Sequence, residues 1–487
     1  MVAEGTAPPL RPLRPGAWIK PAPLREHREQ TFRILAQGPG AKPIDVHASC
    51  DCNEYISLRN RVLMECPPTR PSFEREARSL AHRIGTWVGR HEPADGEWIE
   101  KYSGRKRRVY QEARESLTLE PLCRRDYSVK SFVKPEKITD PTRDPRTIQA
   151  RGPRYGVALG NYLKPLEHRL YRVTGSRNLR KWLPEGRLIA KGLDMVQRAE
   201  LIVQRMDEFG CCLGIDASRF DAHVTTAMLS VEHSIYLRAH NGDKHLERML
   251  QAQLVNRGIT GSGIRYKCPG GRMSGDMNTA LGNCMIVIIT VAIAMRRLGL
   301  TTKQWSMLCD GDDTLIFVKP DLLDLVRTGQ IHTWAESGQE IKIECIAFTP
   351  EQVRFCQGSP VHTACGWKMI SDPVRVLSRS LVSVDHFQHD KACGPLMRSI
   401  GLCEACLNSG TPVLQAWAHQ ILYNAGQGPV RGVENLGRAY QAGKLLQSEH
   451  PLYVEVTDEA RLSYAAAFGV EPWEQILMER QIRQQRF

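Results

Sequence analysis

The side chains best suited to chemistry in this sequence are acids at the ends of apolar runs. The run Cys211-Cys-Leu-Gly-Ile215 reads as a buried strand ending in Asp216, with Asp221 five residues on, beyond Ala-Ser-Arg-Phe. Such a pair alone more often caps a helix or makes a surface ion pair. The second centre carries more: two apolar runs, Trp305 to Cys309 and Thr314 to Val318, meet at Asp310-Gly311-Asp312-Asp313, and Asp-Gly is a strong hairpin signal because glycine tolerates positive φ. Three acids at one tip repel one another and require a compensating cation. Magnesium suits them, being hard and bound through one or two carboxylates plus substrate phosphates. If the hairpin lies against the Asp216 strand, Asp216 and Asp312, with Asp313 beside them, bridge two Mg²⁺ ions about 4 Å apart, the arrangement for in-line phosphoryl transfer. Mn²⁺ is the alternative ion.

Between these centres lies Gly270-Gly-Arg-Met-Ser274-Gly-Asp-Met-Asn-Thr279-Ala-Leu-Gly-Asn283, followed by an apolar stretch to Met295. It reads as a glycine-rich loop opening a helix, with Ser274 or Asp276 as the cap. Thr279 and Asn283 are four apart and share a helix face. Asp221, Thr279 and Asn283 together make a hydrogen-bond set suited to a ribose 2′-hydroxyl, the group that separates RNA from DNA precursors. A site built to bond a hydroxyl rejects the analogue lacking it, because its own polar groups are left unpaired.

The elements that must position these residues sit in a chain of 487 residues, 42% hydrophobic and 24% charged, a globular composition with length for roughly three compact regions. The net charge of +13 favours a polyanionic partner, nucleic acid or an anionic membrane surface. The first 40 residues, rich in Pro, Gly and Arg, read as a mobile or loosely packed basic arm. Core begins near 72, where Phe73, Ala77, Leu80, Ala81 and Ile84 take helical spacing. Residues 104–154 are the most basic portion, and beyond 371 the pattern is helices joined by Gly and Pro loops, such as Ala416 to Tyr423 and Glu474 to Phe487. Cys284 to Met295 falls short of the roughly 20 residues of a bilayer span and reads as a buried helix. Fifteen scattered cysteines read as free thiols of a reducing, cytosolic setting. Two local groups, His47 with Cys50 and Cys52, and Cys403 and Cys406 with Cys393 and His389, are weak zinc candidates.

In order along the chain, Asp216-Ala-Ser-Arg-Phe-Asp221, Ser274 to Asn283 and Cys309-Asp-Gly-Asp-Asp313 resemble motifs A, B and C of positive-strand viral RNA-dependent RNA polymerases. Arg151-Gly-Pro-Arg-Tyr155 and Leu159-Gly-Asn-Tyr-Leu163 are especially similar to the tombusvirus-like members. The resemblance covers about residues 72 to 385. It implies a phosphate-binding motif F upstream, in which Lys137, Arg146 and Arg151 hold the triphosphate; arginine suits that role because its planar fork donates two bonds at once. It implies a motif D at Glu340 to Glu344, where Lys342 protonates the departing pyrophosphate, and a motif E hairpin at Val353 to Gln357.

The fold so implied is α+β: a right hand of fingers, palm and thumb, with a small antiparallel palm sheet flanked by helices. Residues 1–71 form a basic extension, 72–210 with 235–270 the fingers, 211–234 and 271–370 the palm, and 371–487 the thumb. The expected reaction is two-metal nucleotidyl transfer from NTPs to an RNA 3′-hydroxyl, without a primer at initiation. The expected partners are single-stranded RNA template, nascent RNA and NTPs, and a viral co-factor protein or a host membrane reached through one, at cytoplasmic replication sites. Two rivals remain. A reverse transcriptase usually carries an aromatic ribose gate where Asp221 stands and an aromatic where Gly311 stands. A basic RNA-binding replication protein dependent on a partner would share the charge but not the activity.

Overall fold

Helical spacing sets the first long helix: Phe73, Ala77, Leu80, Ala81 and Ile84 are all fully buried on Pro71–Val88. The computed structural model describes residues 9–22, 30–384, 390–430, 441–445 and 450–487. At its centre lies a four-stranded antiparallel sheet in the order Trp305–Asp310, Asp313–Val318, Cys211–Ala217, Ile341–Ala347. Three of its strands read as near-continuous apolar runs because both faces are covered, whereas the edge strand Ile341–Ala347 alternates half-buried and exposed side chains. Leu308, Leu315, Phe317 and Cys212 pack under the helix Met195–Phe209, through Ala199, Ile202 and Met206. Met307, Ile316, Leu213 and Ile215 join the larger core on the other side.

That larger core is built around the helix Thr279–Arg297, which buries every residue from Leu281 to Met295. It is long and apolar enough to cross a membrane by length and composition, but 83% of its most apolar window is buried inside the protein. Around it pack the helices Pro71–Val88, Pro153–Leu170 and Thr226–Ala239. A second sheet, in the order Trp18–Lys20, Arg265–Pro269, Val255–Thr260, Val129–Val133, Thr147–Arg151, carries the basic segment. Its pair Val129–Val133 with Val255–Thr260 is parallel and the others are antiparallel.

After the hairpin Gly358–Thr363 and Gly366–Ser371, the helices Asp390–Asn408, Leu414–Ala425, Asp458–Phe468 and Pro472–Gln484 gather a separate core about Leu414, Trp417, Ile421 and Tyr464. The expected hairpin at Val353 to Gln357 is therefore displaced. That segment only leads into the 358–371 hairpin, turning through Cys356 and Gln357 at φ of 51° and 63°.

The expectation of a loosely packed arm is corrected over the described part of the N-terminal region. Arg14 is buried, and its guanidinium donates to the carbonyls of Val62 at 2.9 Å and Ala222 at 2.8 Å, besides Met64 and Pro269. Trp18–Lys20 joins the edge of the second sheet, and Arg33–Ile34 pairs with Val382–Ser383 near the C-terminal helices. Composition conceals this, because one arginine satisfying four carbonyls leaves no periodic trace.

Candidate active site

The register of the central sheet brings the acids together. Asp310 pairs with Asp313 across a two-residue turn of Gly311 and Asp312, with Gly311 at φ 77°. Positive φ at the first turn position alone is the pattern of a type II′ hairpin turn. The turn is thus Gly311-Asp312, one residue later than the Asp-Gly signal suggested. Thr314 faces Ile215 on the adjacent strand, which places Asp313 and Asp312 beside the Asp216 end of that strand.

The three hairpin acids part company there. Asp310 turns away and is paired with Lys191 and, at 2.6 Å, with Arg198; against the penalty of burial, these cations hold its carboxyl below the usual range. Asp216, Asp312 and Asp313 instead line a cavity of about 700 Å³. Burial raises Asp312 to about 6, with Asp221 and Asp216 adding repulsion. Burial raises Asp313 to about 7, with Asp312, Glu344 and Asp216 adding to it. Carboxylates that repel one another at a shared opening, with no ion pair of their own among the described residues, are a donor set that fits Mg²⁺. As placed, they sit around the cavity rather than around a point: among the described residues no three His, Cys, Asp or Glu side chains are gathered closely enough to hold a metal.

The same cavity is lined by Asp221 and Ser274. Asn283 donates from Nδ2 to Asp221 Oδ1 at 2.9 Å, and Arg272 donates from Nε to Asn283 Oδ1 at 3.0 Å. Arg272 in turn pairs with Glu232, both fully buried. The helix Thr226–Ala239 thereby anchors Asn283, which holds Asp221 at the cavity wall. Thr279 is corrected: its hydroxyl donates to the carbonyls of Met273 and Asp276 at the mouth of the helix and makes no bond to Asp221 or Asn283. Ser274 Oγ accepts from the Gln149 amide at 3.2 Å and donates to the Thr147 carbonyl, tying the loop to the second sheet. Neither Ser274 nor Asp276 caps the helix; the residue before its first turn is Asn278, whose side chain makes no capping bond.

The cavity is also lined by cations: Arg61, Arg143, Arg146 and Arg219. Arg146 is half-exposed, with Nη1 3.1 Å from Glu136. Burial lowers Arg61 to about 10, and Arg146, Arg143 and Arg219 add to it by repulsion. Asp144 is the local counterweight, meeting Arg219 at 2.8 Å and Asn60 at 2.9 Å.

A family model described as "Viral RNA dependent RNA polymerase" matches residues 51–487. The chain belongs to the viral RNA-dependent RNA polymerases. It is 33% identical over 442 residues to the RNA-directed RNA polymerase of Carnation mottle virus, covering 87% of this chain and 55% of that one. The polymerase of Turnip crinkle virus is 33% identical over 445 residues, with the same coverage. That of Tobacco necrosis virus (strain A) is 33% identical over 483 residues, covering 94% of this chain and 64% of that one. The chain spans about half the length of most of the curated relatives it matches. The tombusvirus-like resemblance is thus borne out.

Among polymerase residues expected to hold phosphate, only Arg146 faces the cavity. Lys137 Nζ donates to the Arg379 carbonyl at 2.8 Å, away from it. Arg151 is corrected more firmly: its side chain is 1% exposed, paired with Asp276 and bonded to Asn256 Oδ1 at 2.6 Å and to the Ala252 carbonyl at 2.9 Å. It is a buried brace between the basic strand and the Ser274 loop. Lys342 lies directly across from Asp216 in register and is exposed, on the same face of the sheet but outside the cavity lining.

Arg143 falls in the segment that resembles motif F, whereas Arg61 and Arg219 escaped sequence reasoning because scattered arginines in a basic chain look alike. Arg219 carried one legible hint, its place between the two acids of Asp216-x4-Asp221. Glu232 carried another, a lone acid in an apolar helix run. In the first cysteine group, Cys50 and Cys52 sulfurs lie 2.7 Å apart but His47 Nε2 bonds the Arg143 carbonyl. His389 of the second lies outside the described residues.

Proposed function

We propose that this chain synthesises RNA on a single-stranded RNA template, and that the cavity bounded by Asp216, Asp312 and Asp313 is where NTPs join the growing 3′ end. The observation that carries the reading is one opening shared by repelling carboxylates, Asp221 held by Asn283, and several arginines. Asp216 and Asp312, with Asp313 alongside, would hold two Mg²⁺ ions, which when bound activate the 3′-hydroxyl and stabilise the departing pyrophosphate. Arg146, with Arg143 and Arg61 behind it, binds and orients the triphosphate. Asp221, fixed by Asn283, accepts from the ribose 2′-hydroxyl. Lys342 supplies a proton to pyrophosphate from its position across from Asp216.

In this reading the central sheet with residues 211–234 and 271–370 is the palm, 72–210 with 235–270 the fingers, and 371–487 the thumb. Initiation without a primer, a viral co-factor protein or membrane reached through a partner, and cytoplasmic replication sites belong to the same proposal. Synthesis by the purified chain on a defined RNA, with NTPs compared against dNTPs, tests it. Preferential dNTP use would turn the reading toward reverse transcription. RNA binding without synthesis would turn it toward dependence on a partner.

A further inference from the structure

A second basic surface lies at the far end of the central sheet from the acids. The segment after the helix Pro153–Leu170 runs Arg172, Arg177, Arg180, Lys181, and borders three contiguous depressions of about 340, 530 and 760 Å³. The first shares Arg177 with the second, and the second shares Arg180 and Lys181 with the third, so they form one groove. Arg83 and Arg296 reach it from the helices Pro71–Val88 and Thr279–Arg297. None of its lining residues lines the catalytic cavity. The helix that begins at Thr279 beside the ribose pair delivers Arg296 roughly 25 Å away at 1.5 Å per residue.

Two features distinguish this groove from an ordinary solvated face. First, its arginines have no acidic partners: among the described residues Arg83, Arg172, Arg177, Arg180, Lys181 and Arg296 form no ion pair, whereas Arg146 and Arg219 in the catalytic cavity are matched to Glu136 and Asp144. The carboxylates along it are Glu185 and Glu208, both in the third depression. Second, tryptophans fix the guanidinium planes. Arg296 stacks 4.1 Å over Trp182, with Arg83 at 5.8 Å from the same ring, and Arg169 lies 5.0 Å over Trp87. Stacking reduces the freedom such a side chain loses on binding, and the planar fork of a guanidinium suits the bidentate geometry of phosphate.

We propose that this groove binds the phosphate backbone of RNA as a second RNA site, separate from the catalytic cavity and indifferent to sequence. The Trp182 face is already covered by Arg296, so bases are not read by stacking there. A membrane is disfavoured because none of the large exposed apolar side chains belongs to the groove lining, leaving nothing to insert among acyl chains. RNA held here would be retained while its end is handled roughly 25 Å away.

The test uses the full chain with Arg177→Ala/Arg180→Ala/Lys181→Ala combined, all on the surface, and in parallel Arg83→Ala/Arg296→Ala on the two helices. Binding of a fluorescent single-stranded RNA of about 40 nucleotides is titrated between 50 and 300 mM salt. Removing three phosphate contacts should lower the slope of log K against log salt by about 2 and weaken binding roughly tenfold to a hundredfold at 0.1 M. Nucleotide addition to a preannealed short primer-template at saturating RNA should stay near wild type. Unchanged slope and affinity in both variants would overturn the proposal, as would loss of binding to phosphatidylserine vesicles with RNA affinity intact. Because RNA binding is read directly, a chain inactive in synthesis could still sustain this inference, and an active one could still refute it.

Discussion

Burial and mutual repulsion raise Asp312 to about 6 and Asp313 to about 7, a placement that a bound cation would relieve. Asp216→Ala is expected to abolish nucleotide addition, a loss of roughly 10³-fold or more if several kcal/mol of metal-assisted stabilisation disappear, while salt-sensitive RNA binding stays close to wild type. Full activity in that variant would remove the metal-site reading. The Asn283 bond to Asp221 makes a different forecast. Asn283→Ala should narrow the preference for NTP over dNTP by about tenfold, the worth of one hydrogen bond that must not be left unmade. Rates of GTP and dGTP incorporation on one template measure it, and an unaltered ratio rejects the role. The arginines divide in a way that two substitutions expose. Arg151→Ala strands Asp276 in the interior and should cost about 3–5 kcal/mol of stability, seen in denaturant melts. Arg146→Ala should leave the melt unchanged and raise the KM for NTPs instead.

Elements explain which of these roles could be read from sequence. Three strands of the central sheet were legible because each is an apolar run adjoining an acid, Asp216, Asp310 or Asp313, and the helix Thr279–Arg297 because its apolar stretch follows a glycine-rich loop; the edge strand Ile341–Ala347, which alternates with Lys342 and Glu344, was placed only by the family resemblance. Side-chain direction was not legible. Asp310, Asp312 and Asp313 are equivalent as letters, and only the II′ turn sends the first toward Lys191 and Arg198 and the others toward the cavity. Thr279 and Asn283 share a helix face as expected, yet Thr279 opens the helix within reach of the loop carbonyls of Met273 and Asp276 and donates to them, while Asn283, one turn on, donates to Asp221. Arg151 was misplaced for a related reason: on the strand Thr147–Arg151 its neighbours across three segments, Asp276, Asn256 and Ala252, come together only in the fold. The Arg272–Glu232 pair is the corresponding element-scale device. Glu232→Gln should destabilise the protein and loosen Asn283, so that its NTP selectivity falls along with its melting point.

At the scale of the molecule, charge is spread unevenly. The net charge is +13; Arg146 and Arg219 of the cavity beside Asp216 and Asp312 meet Glu136 and Asp144, whereas the carboxylates in the lining of the groove at the other end of the sheet are Glu185 and Glu208 alone. Packing of the N-terminal segment through Arg14 and through Arg33–Ile34 ties distant parts of the chain together, which composition alone could not show. The hairpin strand Gly366–Ser371 holds Lys368, buried with its ammonium on the Ser409 carbonyl and hydroxyl. Burial lowers it to about 8. Between pH 8 and its ordinary value near 10.5 the unfolded chain binds the extra proton, so stability should rise with pH in that window. Lys368→Met should remove that rise, which thermal melts from pH 7.5 to 10 would reveal; an identical pH dependence would place the ammonium in water.

The most direct measurement is incorporation of labelled nucleotide by the purified chain on a single-stranded RNA template with Mg²⁺ or Mn²⁺, beside Asp312→Ala. Template-length product from the wild type and none from Asp312→Ala is the predicted result. Equal product from both would contradict the assignment of the catalytic centre, and no product from either, with RNA binding retained, would contradict synthesis by this chain alone.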